Sequence, residues 1–429
     1  MAKKLFSLAK TMLFDNQQQG VQRGHQTLMA NNGSSLIDQL RCLLCLAQFA
    51  AWRDDSDLKH ETPVLKSLLV QTLRLSGLGE TAQPARDPPW EHWAEQESER
   101  RTKMFAFCFL IVHGTAYDEA PSIWADEINL ILPCSCPEWT APDATAWSLL
   151  RQNIISEQGR FNRTLDVLLS SSDCNDSGTC YPTPVGNYVL IHGLLQMILW
   201  TPQFLLRTVS SKPVNDAQSI YESGLRQWTS YWQNTPESSL QPLDPNGPLP
   251  FTSTALLSLA YVRNATGPCR SRMLFTWSPT QIAHELRSSR PPERNWPSLL
   301  AAYHATNLLS TLVGLGIQYV SRNQTILWGI EATLAGLDCA VFLEKWLRQM
   351  QAAMTEVPLT DMEAQVFDWV REVVHEGLLS IDEASSPSTV LPDHIITIWS
   401  HVMRGNSPFP FIELIGDVLV EYNRLSTGI

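Results

Sequence analysis

Charge is scarce in this chain, and nowhere does it gather into a binding face. Only 17% of the 429 residues are charged, and the longest basic runs are the pairs Lys3-Lys4 and Arg100-Arg101. With a formal net charge of -12 the chain lacks the clustered cations that phosphate contacts require, which argues against direct nucleic-acid binding by this chain. It also lacks an apolar run able to span a bilayer: the most apolar stretch, residues 188–206, is interrupted by His192, Gln196, Pro202 and Gln203. At the N-terminus Leu5, Phe6 and Leu8 start an apolar run, but Lys10 breaks it short of a signal-peptide core, leaving an amphipathic first helix. Nine cysteines, an odd number without such a leader, read as reduced intracellular thiols rather than a disulfide framework. The sequons at Asn162, Asn175, Asn264 and Asn323 are then expected to stay unmodified.

Complete chemical motifs are missing too. Cys42-x2-Cys45 is half of a zinc pattern, yet only His60 follows at a useful spacing, so both cysteines are expected to be structural thiols in the apolar run of a helix. Cys174 and Cys180 lie in a polar loop with nothing nearby to activate them. His284-Glu285 and His375-Glu376 open the H-E-x-x-H pattern, but Ser288 and Leu379 stand where the second histidine belongs. Gly77-x-Gly79 and Gly314-x-Gly316 lack a third glycine and a preceding strand. His192 and His304 sit on apolar faces as core histidines, and Asp54, Asp55 and Asp57 read as a solvated helix end. No catalytic constellation emerges, and the chain is read as a non-enzyme without a cofactor of its own.

What the chain has in abundance is apolar material at helical spacing: 44% hydrophobic residues and 15 tryptophans. No stretch keeps the strand period of two, and Asn246-Gly247 sits among prolines rather than between alternating runs, so the expected fold is all-α. The organising stretch is residues 90–140. Trp90, Trp93, Glu97, Arg100 and Arg101 lead into Met104, Phe105, Cys108, Phe109 and Val112, with Phe107, Leu110 and Ile111 on the other faces. Apolar on every side, the helix near residues 98–113 is expected at the centre of a large irregular array of about eighteen helices. Glu97 and Arg101, four apart, would make a surface ion pair worth roughly 0.2 to 0.5 kcal/mol, enough to orient the helix but not to hold the fold.

The other elements follow from caps and periods. A first helix runs from Leu36 to about Trp52 behind a Ser35-x2-Asp38 cap, a second from Thr62 to Ser76 with Gly77 as its left-handed stop, and Asp143 caps a short one. Further helices are expected over Phe161 to Leu169, Gly186 to Trp200, Leu299 to Arg322, Trp328 to Met354, Asp361 to Leu379, Ile395 to Met403 and Phe411 to Leu425. Polar connectors lie near Ser210 to Asn215, Thr235 to Pro250 and Ser288 to Pro297. The acidic, aromatic segment from Asp361 to Glu376 could engage a coactivator, but reads first as a surface helix with Val366, Phe367, Val370 and Val374 inward. Trp228 and Trp232 could line an effector cavity, with core packing the simpler expectation.

The run W-x2-W-x3-E-x2-RR, the aromatic helix after it, the acidic linker and L-P-C-x4-W resemble the regulatory, or middle homology, domain of fungus-specific transcription factors. The similar subgroup is the one that carries two-cysteine, two-histidine zinc fingers ahead of this domain. The segments containing Trp228 and Trp232, and later Trp346, follow in the family's order, so the resemblance covers nearly all of residues 1–429. It implies one regulatory domain, with a helical core over 1–285 and a C-terminal helical part over 286–429 packed on it. As structural motif residues it implies Trp93, Glu97, Arg100, Arg101, Pro133, Cys134, Trp139, Trp228, Trp232 and Trp346, with Cys134 a small hydrophobe packed under Trp139. It further implies a nuclear protein, with a cytoplasmic pool allowed, that regulates fungal genes, often those of one metabolite pathway. Its partners would be the transcription machinery or coactivators, a related factor in a homo- or heterodimer, and a small-molecule effector. No DNA-binding segment or six-cysteine zinc cluster is present, so DNA is reached only indirectly or through fingers encoded upstream, the one case that brings in zinc. The alternatives are a stand-alone partner of related factors, or a small-molecule-binding protein or enzyme built on the same scaffold.

Overall fold

The structure, a computed structural model, describes residues 4, 6–12, 32–80, 88–152, 157–170, 180–205, 212–267, 272–327, 329–381, 390–405, 407 and 409–427. Among these residues it holds seventeen α-helices and no strand, so the fold is all-α. The chain divides into two compact units, residues 1–113 with 121–162, and residues 114–120 with 163–429.

In the first unit α1 (Asn32–Ala51) and α2 (Ser56–Leu75) pack together, and Leu40, Leu43, Leu65, Leu69 and Leu73 are fully buried. Helix α1 begins at Asn32, which places Ser35 inside it rather than at a cap. Helix α2 starts six residues earlier than its apolar pattern suggests, because the Asp55 carboxylate accepts the N–H groups of Asp57 and Leu58. Pro63 is tolerated within this helix, and Gly77, at φ +81°, ends it as expected. The long α3 (Trp90–Tyr117) has Met104 and every residue from Ala106 to His113 buried, as its all-round apolar pattern requires. After the 3-10 turn Ala125–Glu127 comes an extended passage whose isolated bridges pair Gly79 with Asn129 and Ile131 with Arg160. The short α4 (Cys136–Trp139) and α5 (Ala144–Arg151) follow, the latter capped by Asp143, which accepts Ala146 N–H at 2.8 Å.

α6 (Phe161–Leu169) leads into the second unit, which continues with α7 (Pro184–Leu205), α8 (Lys212–Asn234) and α9 (Leu249–Thr266). Then come a 3-10 turn Leu274–Thr276, α10 (Pro279–Ser288), α11 (Trp296–Leu315), the short α12 (Ile317–Arg322) and α13 (Gln324–Leu327), and α14 (Ile330–Ala353). α15 (Asp361–Ser380), α16 (Leu391–Met403) and α17 (Pro410–Thr427) close the chain. α9 packs on α7, α8, α11 and α14, and α14 on α16, so this unit has two nearly all-buried helices of its own. Gly336 is required on α14: a Cβ there would stand 2.5 Å from the Trp399 ring on α16.

Helix boundaries in the second unit differ from expectation as well. The helix expected from Leu299 to Arg322 breaks at Gly316, whose φ of +92° no helix can hold. The expected polar connector up to Asn215 already lies in α8 from Lys212 onward. α14 starts at Ile330, while Trp328, the expected start, is outside the described residues. In α15, Val366, Val370 and Val374 face inward and Phe367 is half-buried, the surface-helix arrangement.

Candidate functional site

Polar groups are concentrated away from water in the motif of the first unit and beside a cavity in the second. The motif is built around Glu97, whose side chain is 0% exposed. Its carboxylate accepts Arg101 Nε at 2.8 Å, an N–H of Arg100, and the backbone N–H of Cys134 at 2.9 Å. Arg100 reaches on to Glu80, Nε to Oε1 at 2.8 Å, and Arg101 donates to the Cys134 carbonyl at 3.0 Å. Burial alone would raise the Glu97 pKa, but two guanidinium groups and the Cys134 amide outweigh it and hold the carboxylate below its usual range. Glu97 and Arg101 are therefore no surface pair. They lock the buried Pro133-Cys134 turn onto α3.

The tryptophans of the motif divide their work. Trp93 stacks obliquely on Trp147 at 5.0 Å, and the two close over Cys134. Trp139, expected above Cys134, is instead 40% exposed and lies under the Arg101 guanidinium at 4.4 Å, at the end of α4, which the Ser135–Glu138 capping box starts. The Cys134 thiol, buried and beside Glu97, is driven far above its ordinary pKa and is no nucleophile. With each charge partnered, this cluster is suited to fixing a turn rather than to chemistry.

The later motif tryptophans are spent on packing. Trp228 is fully buried and donates to the Asn187 carbonyl at 2.9 Å, while Trp232 donates to that of Pro250 at 3.1 Å. Trp346 is also buried. Cys42 and Cys45 correct another expectation: both are exposed, since α1 turns Leu40, Leu43 and Ala47 inward and these two away. His60, His284 and His375 are exposed, Asp54 pairs with Lys59 at 2.5 Å, and Cys174 lies outside the described residues. Among the described residues no group of three or more His, Cys, Asp and Glu gathers as a metal site. His192 is fully buried, with Nδ1 2.7 Å from the Tyr188 carbonyl; burial lowers its pKa to about 4. His304 is only half-buried and stacks on Tyr261 at 3.9 Å.

The cavity was not foreseen. It holds about 350 Å³ between α9, α10 and α14. Asp338 of α14 is clamped by two arginines, Arg263 of α9 at 2.6 Å and Arg272 at 3.1 Å. Arg272 also donates to the carbonyls of Thr115 and Ala116 in the last turn of α3, and its own backbone N–H to Asp118 at 2.9 Å. Asp118 and Met273 both take left-handed φ values, 55° and 57°, which frame this anchor. Val262, Leu286, Pro292, Val341 and Phe342 supply apolar wall, and Glu285 and Arg290 stand nearer the mouth. The sequence hint was the pair of charged residues within otherwise apolar helices, Arg263 and Asp338.

No helix among the described residues is long and apolar enough to cross a membrane. No curated protein and no solved structure matches the chain. Family models do. The model of the fungal specific transcription factor domain matches residues 4–208, and that of the fungal transcription factor C-terminal domain matches residues 265–421. No zinc-finger domain is found in the chain. Two such domains in sequence on an all-helical chain support a role in transcriptional regulation rather than catalysis, and the chain belongs to the family of fungal-specific transcription factors.

Proposed function

We propose that this chain is the regulatory part of a pathway-specific fungal transcription factor, acting in the nucleus, with a cytoplasmic pool, on the transcription machinery or a coactivator. The observation that carries this reading is the pair of family matches, which together span most of residues 4–421. The composition agrees with it: a chain of net charge -12 without clustered cations reaches DNA through another segment or another protein. That partner is either an upstream zinc-finger segment or a related factor in a dimer. A gene cluster for a secondary metabolite is the first class of target to examine.

The test is a fusion of residues 1–429 to a heterologous DNA-binding domain, read with a reporter in a fungal host. The expected result is a reporter level that differs from that of the DNA-binding domain alone, and that changes with the carbon or nitrogen source. A fusion that is stable, nuclear and indistinguishable from the DNA-binding domain alone under every condition would sink the proposal.

A further inference from the structure

We infer that the cavity between α9, α10 and α14 binds a small organic anion, with a carboxylate or phosphate ester seated toward Arg272 and an apolar body against Val341 and Phe342. As a regulatory input this rests on the reading given above; as a binding site it stands on the cavity itself. Its size, about 350 Å³, is within the range of ligand pockets, roughly 300 to 1,000 Å³. Its charge is lopsided. Four basic side chains, Arg263, Arg272, Arg290 and Lys345, line it against two carboxylates, Asp338 and Glu285.

The individual partners narrow the argument. Lys345 is engaged, its ammonium donating to the Leu286 carbonyl at 2.7 Å and to the Ser289 hydroxyl at 2.7 Å, so it fixes the end of α10 as a wall. Asp338 serves both Arg263 and Arg272. Asp118 contributes a second carboxylate to Arg272 only at 4.0 Å. Arg272 is 2% exposed, and its Nε meets no hydrogen-bond acceptor among the described residues. A buried donor without an acceptor is costly, and an anionic oxygen entering the cavity would relieve it. Guanidinium forks suit carboxylate and phosphate alike, so both head groups share this chemistry. Arg290, exposed at the mouth, adds a further positive charge along the approach. The apolar wall accounts for the rest of the ligand: a bare inorganic ion would leave it uncovered.

Isothermal titration of the purified chain with phenyl phosphate, benzoate and benzyl alcohol tests this. Saturable binding of at least one of the two anions is expected, none of benzyl alcohol, and the anion that binds identifies the head group. Arg290→Glu, a change at an exposed residue, should keep the circular dichroism and Tm of the parent and weaken that anion at least about tenfold. Arg272→Gln should abolish binding, but this residue is also an anchor, so Arg290→Glu is the deciding variant. The inference is overturned if neither anion binds up to about 10 mM, if benzyl alcohol binds as well as they do, or if Arg290→Glu leaves the affinity unchanged. The titration involves no promoter, so its failure leaves the transcriptional reading intact, and a silent reporter fusion leaves the binding result intact.

Discussion

Among the described residues each unit buries one glutamate completely, Glu97 in the first and Glu344 in the second, and the two are held in opposite ways. Glu97 takes both arginines from its own helix, three and four residues on, and its remaining acceptor capacity is met by the Cys134 N–H. Glu344 draws on α10, α14 and α17: Arg287 at 2.9 Å, Arg348, and the Tyr422 hydroxyl at 2.8 Å. The arginines differ as well. Those beside Glu97 are 9% and 11% exposed, whereas those beside Glu344 are 32% and 34% exposed. The Glu97 cluster is sealed from water around one helix, while the Glu344 cluster, assembled from three helices, keeps its cations near the surface. Removing the carboxylate should therefore cost more where the cations have no route to solvent.

The largest expected effect follows directly. Glu97→Ala leaves Arg101 buried without a carboxylate and Arg100 with Glu80 alone, and should destabilise the first unit by about 3 to 5 kcal/mol. Glu344→Ala should cost less, about 2 kcal/mol, because Arg287 and Arg348 can turn to water and Arg348 retains Asp393. Urea unfolding followed by circular dichroism measures both. A loss for Glu344→Ala equal to or greater than that for Glu97→Ala would refute the link between exposure and cost.

A smaller effect separates the two units by pH. Burial, aided by Lys66, lowers the pKa of His113 in the first unit to about 3, and burial lowers His192 and His304 in the second to about 4. Between the ordinary value of 6.5 and these folded values the unfolded chain binds protons that the folded chain does not. Stability is thus fully present above pH 6.5 and is lost as the pH falls toward 4, with two groups acting in the second unit and one in the first. His192→Gln retains a donor for the Tyr188 carbonyl and removes one of these titrations. It should make the pH dependence shallower in that window by at most about 1.4 kcal/mol per pH unit. An unchanged slope would mean that His192 is not held neutral.

How much of this was legible in the sequence depends on the range of the interaction. The all-round burial of α3, the Asp143 cap and the Gly77 stop were readable because period, cap and chain reversal are set within a few residues. The spacing of Glu97, Arg100 and Arg101 was equally plain, but their burial was not, since it depends on a turn that starts over thirty residues later. Cys42 and Cys45 were misplaced because an apolar run says nothing of which face a thiol takes; the buried stripe of Leu40, Leu43 and Ala47 excludes both. Glu344 and the cavity were out of reach for the same reason. Arg287 and Tyr422 lie 57 and 78 residues from Glu344, and Arg272 lies 66 from Asp338. Only the presence of a charge within an apolar helix marked Arg263 and Asp338 as residues needing partners.

The smallest effect concerns thiol chemistry and reads the same comparison locally. Cys42, Cys45 and Cys180 are exposed, while Cys108 and Cys134 in the first unit and Cys339 in the second are buried, with burial raising the thiol pKa of Cys134 and Cys339. Iodoacetamide at neutral pH should label the exposed three and spare the three buried thiols, as read by peptide mass spectrometry. In Glu97→Ala the Cys134 N–H loses its acceptor and Arg101 loses the carboxylate that holds it over the turn. Cys134 should then become labelled without denaturant, while Cys339, packed within α14, stays protected. Labelling of Cys339 at the same rate would mean that the opening is global and that Glu97 supports more than its own turn. Protection of both would mean that Trp93 and Trp147 alone suffice to close over Cys134.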